Sequence, residues 1–442
     1  MPTFTYTGAL QTLTIPGGVC TVTIQAQGAA GGSNPALTGA EGGLGASIQG
    51  LFTVTPGDVL SIVVGGQGGD AIGADISFQA GGGGGGGSFV WFGSSFGEVN
   101  PSTLLVAAGG GGGGGGLNTS SEVGGDGMTT SSGQDGGNAA GGFGAGGMDG
   151  NSGSGGNFEM GLATGGGAGG GGSPYFNGGD GAGNAGGIGG VSIVAGGAGG
   201  AGGTGGGEFT GGAGGFGGGG GGSDRNGGGG GGFSGGGGGT GTSNAMGGGS
   251  AGGGGGGGSF NGGSNPVNMA GVRAGNGIVE VTYEAPTLTC SNMTVANDRG
   301  ACGANVTFSG LGTCPGLMID CSPASGSFFS VGTTSVTCTA MDTVGGSATC
   351  SFTVTVIDTE PPVISGLHDI DVETNNPNGT VVTYPDPTVT DNCPGEITVT
   401  CSPASGSFFP LGMTMVTCTA TDPSGNTATG TFIVVVTSSQ EE

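Results

Sequence analysis

The chain has no lysine and only three arginines, Arg225, Arg273 and Arg299, against 29 acidic residues, giving a formal net charge of -26 over 442 residues. Nucleic acid and anionic membrane are poor partners for such a surface, because binding phosphate needs clustered cations. The missing lysine also excludes lysine-based isopeptide braces and leaves trypsin-like proteases almost nothing to cut, which suits an exposed extracellular protein. Histidine is nearly absent too: His368, in GLHDI beside Asp369, would be the sole base for a histidine triad and reads as a surface residue. No two cysteines have CxxC spacing, so a zinc site is not expected. No apolar run approaches the length of a transmembrane helix. Matches to GxGxxG abound by chance, but none is followed by a helical period and none carries the lysine of a phosphate loop. These absences predict a non-enzymatic chain with no catalytic residue, no cofactor, no metal and no membrane insertion. No signal peptide precedes TFTYTG, so the numbering is read as starting after a removed signal, with Met1 either native or added.

What is abundant is glycine, 127 residues in all. In Gly196–Gly258 the other residues recur at every third place, at Ala198, Ala201 and Thr204 and again at Thr210, Ala213 and Phe216, with only Glu208–Phe209 out of phase. A period of three is neither the helical nor the strand period. It matches the polyproline-II helix, while collagen would need one glycine per triplet and many prolines. Composition alone favours a flexible linker. The alternative is a bundle of polyglycine-II helices, whose bare backbones approach closely enough for N–H and Cα–H groups to bond neighbouring carbonyls. Further runs at Gly81–Gly87, Gly109–Gly116, Gly165–Gly172, Gly217–Gly222, Gly227–Gly232 and Gly252–Gly258 supply the neighbours.

The flanks decide for the bundle. Residues 3–28 and the stretch SIQGLFTVTPGDVLSIVVGGQGG read as alternating strands about Pro-Gly turns, FVWFG and STLLVAAGGGG add apolar segments, and GNGIVEVTYEA closes the series. Strands thus bracket and interleave with the glycine runs, as in a β-sandwich carrying them as insertions. The order FTYTG…QTLTIPGGVCTVTI, PGDVLSIVVGGQGG, LLVAAGGGGGG, GGFGGGGGGSDRNGGGGGGFSGG and GNGIVEVTYE resembles the glycine-rich domain of anaplastic lymphoma kinase and leukocyte tyrosine kinase receptors, and a glycine-rich family of bacterial surface proteins, over residues 3–284. The resemblance implies a jelly-roll-like sandwich with a polyglycine-II bundle inserted. The kinase and membrane segments of those receptors have no counterpart, so their signalling role does not carry over.

From Ala285 the composition shifts to Thr, Val, Pro and Cys, and two copies of one unit follow. CSPASGSFF stands at 321–329 and again at 401–409, and VTCTA at 336–340 and 416–420. Alternating strands with regular turn signals read as two small sandwiches. The second copy, DTEPPVI…VVTYPDPTVTDNC…PASGSFFPLGMTMVTCTATDPSGNTATGTFIVVV, closely resembles the hyalin repeat, an immunoglobulin-like extracellular module; the first departs from it at CGANVTFSGLGTC. The resemblance implies adhesion or spacing. The expected organisation is a glycine-rich domain at 1–285, hyalin-like domains at 286–357 and 358–437, and a tail at 438–442, all-β throughout.

Ten cysteines argue for an oxidising compartment, so a secreted or surface location is expected. Cys321 and Cys338 are matched at equal spacing by Cys401 and Cys418, which suggests one bridge within each copy. Cys290 and Cys302 face Leu367 and Gly379 in the second copy; their joint loss suggests a pair, leaving Cys314 with Cys350. Cys20 and Cys393 then remain, as two buried free thiols or as a bridge to each other within or between chains.

Asp369, Asp371, Asp386 and Asp391 could meet at one end of the last sandwich and hold Ca²⁺, but their spacing fits no EF-hand and solvated carboxylates are the expectation. Sequons stand at Asn118, Asn292, Asn305 and Asn378. The leading function is a structural or adhesive protein that assembles with copies of itself into a layer or filament, using sandwich edge strands such as TFTYT or TFIVVV. A ligand- or glycan-binding module, with Trp91 and Phe92 as an exposed patch, is the second reading; their core role is the simpler one. Ice binding is the third, without the threonine ranks it would want.

Overall fold

The computed structural model of the chain describes residues 1–72, 80–117, 120–137, 144–156, 168–182, 186–204, 210–223, 225–239, 251–312 and 314–439. The Asn118 sequon, Gly165–Gly167 of one glycine run and the Glu208–Phe209 interruption lie outside these residues. The described residues are almost entirely β and irregular structure; they contain no α-helix, only one 3-10 turn at Phe96–Glu98. No helix among them is long and apolar enough to cross a membrane.

The chain forms two compact units. The first is Met1–Pro286 with Cys314–Leu317 and Asp342–Gly346; the second is Thr287–Thr313, Met318–Met341 and Ser347–Glu442.

Unit 1 holds β1 (Thr3–Thr5), β2 (Gln11–Thr14), β3 (Thr21–Gln27), β4 (Gly45–Thr53), β5 (Val59–Val63), β6 (Ser88–Phe92) and β7 (Leu104–Ala108). They are followed by a short hairpin, β8 (Gly115–Leu117) with β9 (Ser120–Glu122), then β10 (Phe260–Asn261), β11 (Ser264–Arg273) and β12 (Ile278–Tyr283). Two antiparallel five-stranded sheets result, in the orders β1-β12-β3-β4-β11 and β10-β7-β6-β5-β2. Strand β3, TVTIQAQ, alternates strictly, and its inward residues Val22, Ile24 and Ala26 meet Ile48, Leu60, Ile62, Val90 and Val106 in a core drawn from both sheets. Strands β5, β6 and β7 are instead buried along nearly their whole length. Their second face, Val63, Phe89, Trp91, Leu104 and Ala107, packs against Ile193, Phe216 and Phe233 from the glycine-rich segments. That explains the unbroken apolar reading of FVWF and LLVAA: the sheet is covered on both sides.

The glycine segments form a hydrogen-bonded layer beside this sheet. The amides of Gly81, Gly84 and Gly87 donate to Ser223, Gly220 and Gly217; those of Gly82 and Gly85 to Gly114 and Gly111; those of Gly83 and Gly86 to Gly69 and Gly66, at 2.7–3.0 Å. The carbonyls of Gly81 and Gly84 accept from Gly212 and Gly215, those of Gly82 and Gly85 from Gly228 and Gly231, and those of Gly83 and Gly86 from Gly32 and Ala29. Each partnership thus recurs after three residues, and Gly81–Gly87 is ringed by six other segments. Such spacing leaves no room for side chains: a Cβ built on Gly84 would stand 2.1 Å from the Gly229 oxygen. At the seam with the sheets, buried Ser88 donates its hydroxyl to the Gln27 carbonyl at 2.6 Å and accepts from the Gly65 amide at 2.9 Å.

Unit 2 contains two similar sandwiches. The first has β13 (Met293–Ala296), β14 (Gly303–Val306), β15 (Met318–Ser322), β16 (Ser327–Ser330), β17 (Gly332–Met341) and β18 (Ser347–Ile357). Its four-stranded sheet, β13-β18-β17-β15, accompanies the pair β14-β16. The second has β19 (Val363–Ser365), β20 (Ile370–Thr374), β21 (Thr380–Val382), β22 (Thr388–Thr390), β23 (Thr398–Ser402), β24 (Ser407–Phe409), β25 (Gly412–Thr421) and β26 (Thr427–Ser438). Here β20-β26-β25-β23 accompanies the pairs β21-β24 and β19-β22. In both sheets the first strand is parallel to the last, β13 to β18 and β20 to β26. The cores correspond: Val336, Cys338, Phe352 and Val354 in one, Val416, Cys418, Phe432 and Val434 in the other.

Candidate functional site

All ten cysteines are bridged. Cys321–Cys338 and Cys401–Cys418 each join directly opposed residues of adjacent strands, β15 with β17 and β23 with β25. The remaining three bridges are Cys20–Cys314, Cys290–Cys350 and Cys302–Cys393. The expected pairs Cys290–Cys302 and Cys314–Cys350 are therefore corrected, and Cys20 and Cys393 are neither free nor joined to each other. The expectation kept the pairs of the first repeat inside that repeat, whereas Cys302 bridges to the second repeat and Cys314 to β3's approach in unit 1. There Gly18 donates its amide to the Pro315 carbonyl at 3.0 Å, and the Thr343 hydroxyl donates to the Gly17 carbonyl at 2.7 Å.

Around Cys302–Cys393 unit 2 gathers a set of polar groups. Strand β18 stops at Ile357 because Pro361 and Pro362 cannot extend a ladder, and this leaves Asp358 at the start of the connection. Its side chain is only 7% exposed. One oxygen, Oδ1, accepts from the Glu360 amide at 3.3 Å and from Asn392 Nδ2 at 3.4 Å. After β22, Asp391 turns the chain by accepting the Cys393 amide at 2.8 Å through Oδ1, and Asn392 Nδ2 also donates to the Ala301 carbonyl at 3.1 Å. In the β25–β26 turn, Asn426 Nδ2 donates to Asp422 Oδ2 at 2.8 Å and to the Asp358 carbonyl at 3.1 Å. Burial alone would raise the pKa of Asp422, but the Asn426 side chain and the amides of Asn426, Gly425 and Ser424 outweigh it and hold the carboxyl below its ordinary value. Asp358 Oδ2 and Asp391 Oδ2 are both buried and have no hydrogen-bond donor. Ligand atoms of Asp358, Asp391 and Cys393 lie within 4.8 Å of one another.

Of the four aspartates expected to meet, only Asp391 belongs to this group. Asp369 accepts the Ile433 amide at 2.7 Å and Asp371 lies on β20. Asp358, Asn392, Asp422 and Asn426 were not among the expected ligands, although each stands in an Asp/Asn-Pro-rich turn where a repeat begins or reverses. His368 is exposed beside a 70 Å³ cavity. Asn292, Asn305 and Asn378 are all exposed.

Trp91 is fully buried, with its indole N–H donating to the Ser95 carbonyl at 3.1 Å, and Phe92 is half-buried against the sandwich core. The exposed aromatic patch that a binding module would have used is therefore absent at this position. The two expected assembly edges also part company. Strand β1, within TFTYT, is the outer strand of its sheet, but TFIVVV lies in β26, which pairs with both β20 and β25 and offers no edge. Among the described strands a long edge is β11, ten residues paired on one side to β4, with Val267, Met269 and Val272 each close to half exposed.

The HYR domain family matches residues 315–356 and 357–436. Hyalin of Strongylocentrotus purpuratus is 38% identical over 162 residues, which cover 34% of this chain and 13% of the relative. Hyalin of Lytechinus variegatus is 37% identical over 37% of this chain and 28% of its own length, and a sushi, von Willebrand factor type A, EGF and pentraxin domain-containing protein 1 of Rattus norvegicus is 34% identical over 35% of this chain and 4% of its own length. The chain thus spans less than a third of the relatives it matches. A protocadherin gamma C5 EC1-3 structure overlays 36% of the chain at 18% identity with a TM-score of 0.21, too loose an overlap to define a common fold. Five disulfides fit an extracellular protein. The C-terminal part of this chain, residues 315–356 and 357–436, carries HYR domains.

Proposed function

We propose that the chain is a non-enzymatic, extracellular structural or adhesive protein that assembles with copies of itself into a surface layer or filament. Residues 1–285 are its rigid domain, and 286–357 and 358–437 are two adhesive or connecting modules. The rigid domain is a sandwich stiffened by a polyglycine-II layer; the recurrence of the Gly81–Gly87 hydrogen-bond partnerships after three residues supports this, since that is the repeat of the helix. The adhesive role is supported by the HYR matches and by a 29% identical stretch shared with a serine-rich adhesin for platelets of Staphylococcus aureus, 38% of this chain and 14% of the relative.

The observation that carries self-assembly is β11. An edge strand exposes unpaired N–H and C=O groups as a template for another strand, and natural proteins blunt such edges with lysine, proline or extreme shortness. Here the strand is ten residues long, has no lysine, and turns Val267, Met269 and Val272 toward solvent; Pro266 blocks one amide, and register shifts against β4 fall between Ser264 and Val267 and between Met269 and Arg273. Negative-stain microscopy of the full chain tests the reading: fibres or sheets are expected, and Val267→Lys/Met269→Lys should leave dispersed particles. Dispersed wild-type particles under all ionic conditions would defeat it.

A further inference from the structure

We propose that the junction of the two sandwiches in unit 2 binds one Ca²⁺ ion through Asp358 and Asp391. Two independent observations meet there. The first is the grouping itself: the ligand atoms lie within 4.8 Å of one another. Two oxygens held on opposite sides of one Ca²⁺ stand about that far apart, because Ca–O distances run to about 2.3–2.6 Å. The second is that Asp358, 7% exposed, keeps a buried oxygen, Oδ2, that no donor reaches, and Asp391 Oδ2 is buried in the same condition. An ionised oxygen withdrawn from water without a partner is costly, and two of like charge side by side cost more. One divalent cation between them answers both demands.

The donor chemistry selects the ion. Cys393 shares its sulfur with Cys302, so no thiolate is present, and neither thiolate nor imidazole marks the group as a zinc-type site. What remains is hard oxygen, which suits Ca²⁺ or Mg²⁺. The irregular setting favours Ca²⁺, which accepts flexible geometry, over Mg²⁺, which demands a near-ideal octahedron. A 450 Å³ cleft bordered by Cys302, Ser330, Cys393 and Ser424 opens at the neighbouring Cys302–Cys393 bridge. Two carboxylates place the site among weak extracellular ones, with Kd on the order of 0.1–1 mM. Because Asp358 begins the connection between the sandwiches and Asp391 belongs to the second, a bound ion ties the connection to the module it enters.

Equilibrium dialysis of the full chain against radioactive Ca²⁺ tests this. One ion per chain is expected, weakened at least tenfold in both Asp358→Asn and Asp391→Asn and unchanged in Asp371→Asn, whose residue is exposed on β20. Peptide mapping of the Cys302–Cys393 bridge establishes that each variant has folded; if buried Asp358→Asn does not, half-buried Asp391→Asn decides alone. No binding by the wild type at 10-fold the expected Kd, or undiminished binding by Asp391→Asn, overturns the proposal.

Discussion

Adding one methyl group to the glycine layer separates a packed layer from a flexible linker. Gly84 is central: its amide donates to Gly220 and its carbonyl accepts from Gly215, both at 2.8 Å. A Cβ there would meet the Gly229 oxygen at 2.1 Å and the Gly229 carbon at 2.5 Å, about 1 Å short of ordinary contact. The obstacle is backbone, which cannot rotate aside. If the Gly227–Gly232 segment retreats by that amount, the 2.9 Å bonds from Gly228 to Gly82 and from Gly231 to Gly85 stretch beyond bonding range. Overpacking a dense interior costs about 1–3 kcal/mol, and each lost bond about 0.5–1.5 kcal/mol. Alanine also lowers the entropy of the unfolded chain, which returns about 0.4–1 kcal/mol. Gly84→Ala should therefore destabilise unit 1 by about 2–4 kcal/mol, lowering its thermal midpoint by roughly 5–10 °C. Gly97→Ala is the matched control, because a Cβ there meets nothing within 4 Å. Differential scanning calorimetry of both variants reads the difference. In a linker both substitutions would be neutral or slightly stabilising; a Gly84→Ala midpoint equal to that of Gly97→Ala would refute the packed layer.

Two further outcomes follow from unit 2. Asp422 has its pKa depressed in the folded state, so its contribution to stability is present above the ordinary carboxylate range and is lost as pH falls through the lower folded value. Asn426→Ala, which removes the side-chain donor, should move the acid-unfolding midpoint followed by circular dichroism to higher pH; an unmoved midpoint would show that the backbone amides suffice. Removing Cys302–Cys393, which spans 91 residues, should cost about 4–5 kcal/mol by loop entropy, against about 3 kcal/mol for Cys401–Cys418, which spans 17. Denaturant unfolding of the two double-serine variants should rank them in that order, and equal losses would mean that Cys290–Cys350 and neighbouring strands already restrain the longer loop.

Strand positions were legible because their causes are local. Alternation in TVTIQAQ and unbroken apolar runs in FVWF and LLVAA follow from one buried face and from two. The period of three in the glycine runs is local as well. Partnerships were not legible, because they are set at long range. TFIVVV reads as an edge until the parallel strand β20, about sixty residues earlier, is known to lie beside it. Comparing the two repeats identified Cys20 and Cys393 as odd cysteines, which could have implied one outside bridge each; instead the joint loss of Cys290 and Cys302 suggested a pair that the fold divides between Cys350 and Cys393. The Asp358 group escaped notice because its members come from a connection and two turns of unit 2 that only the folded chain brings together.

The six neighbours around Gly81–Gly87 have a mechanical meaning. A β-sheet is bonded along its strands by covalent links and sideways by hydrogen bonds, but across its faces it relies on non-directional contacts between side chains. In the glycine layer successive amides donate in three different lateral directions and successive carbonyls accept from three more. Shear applied from any side therefore loads directional bonds, so the layer has no soft axis perpendicular to the chain. Stiffness of that kind owes nothing to side chains: it resides in the backbone bonds that surround Gly81–Gly87.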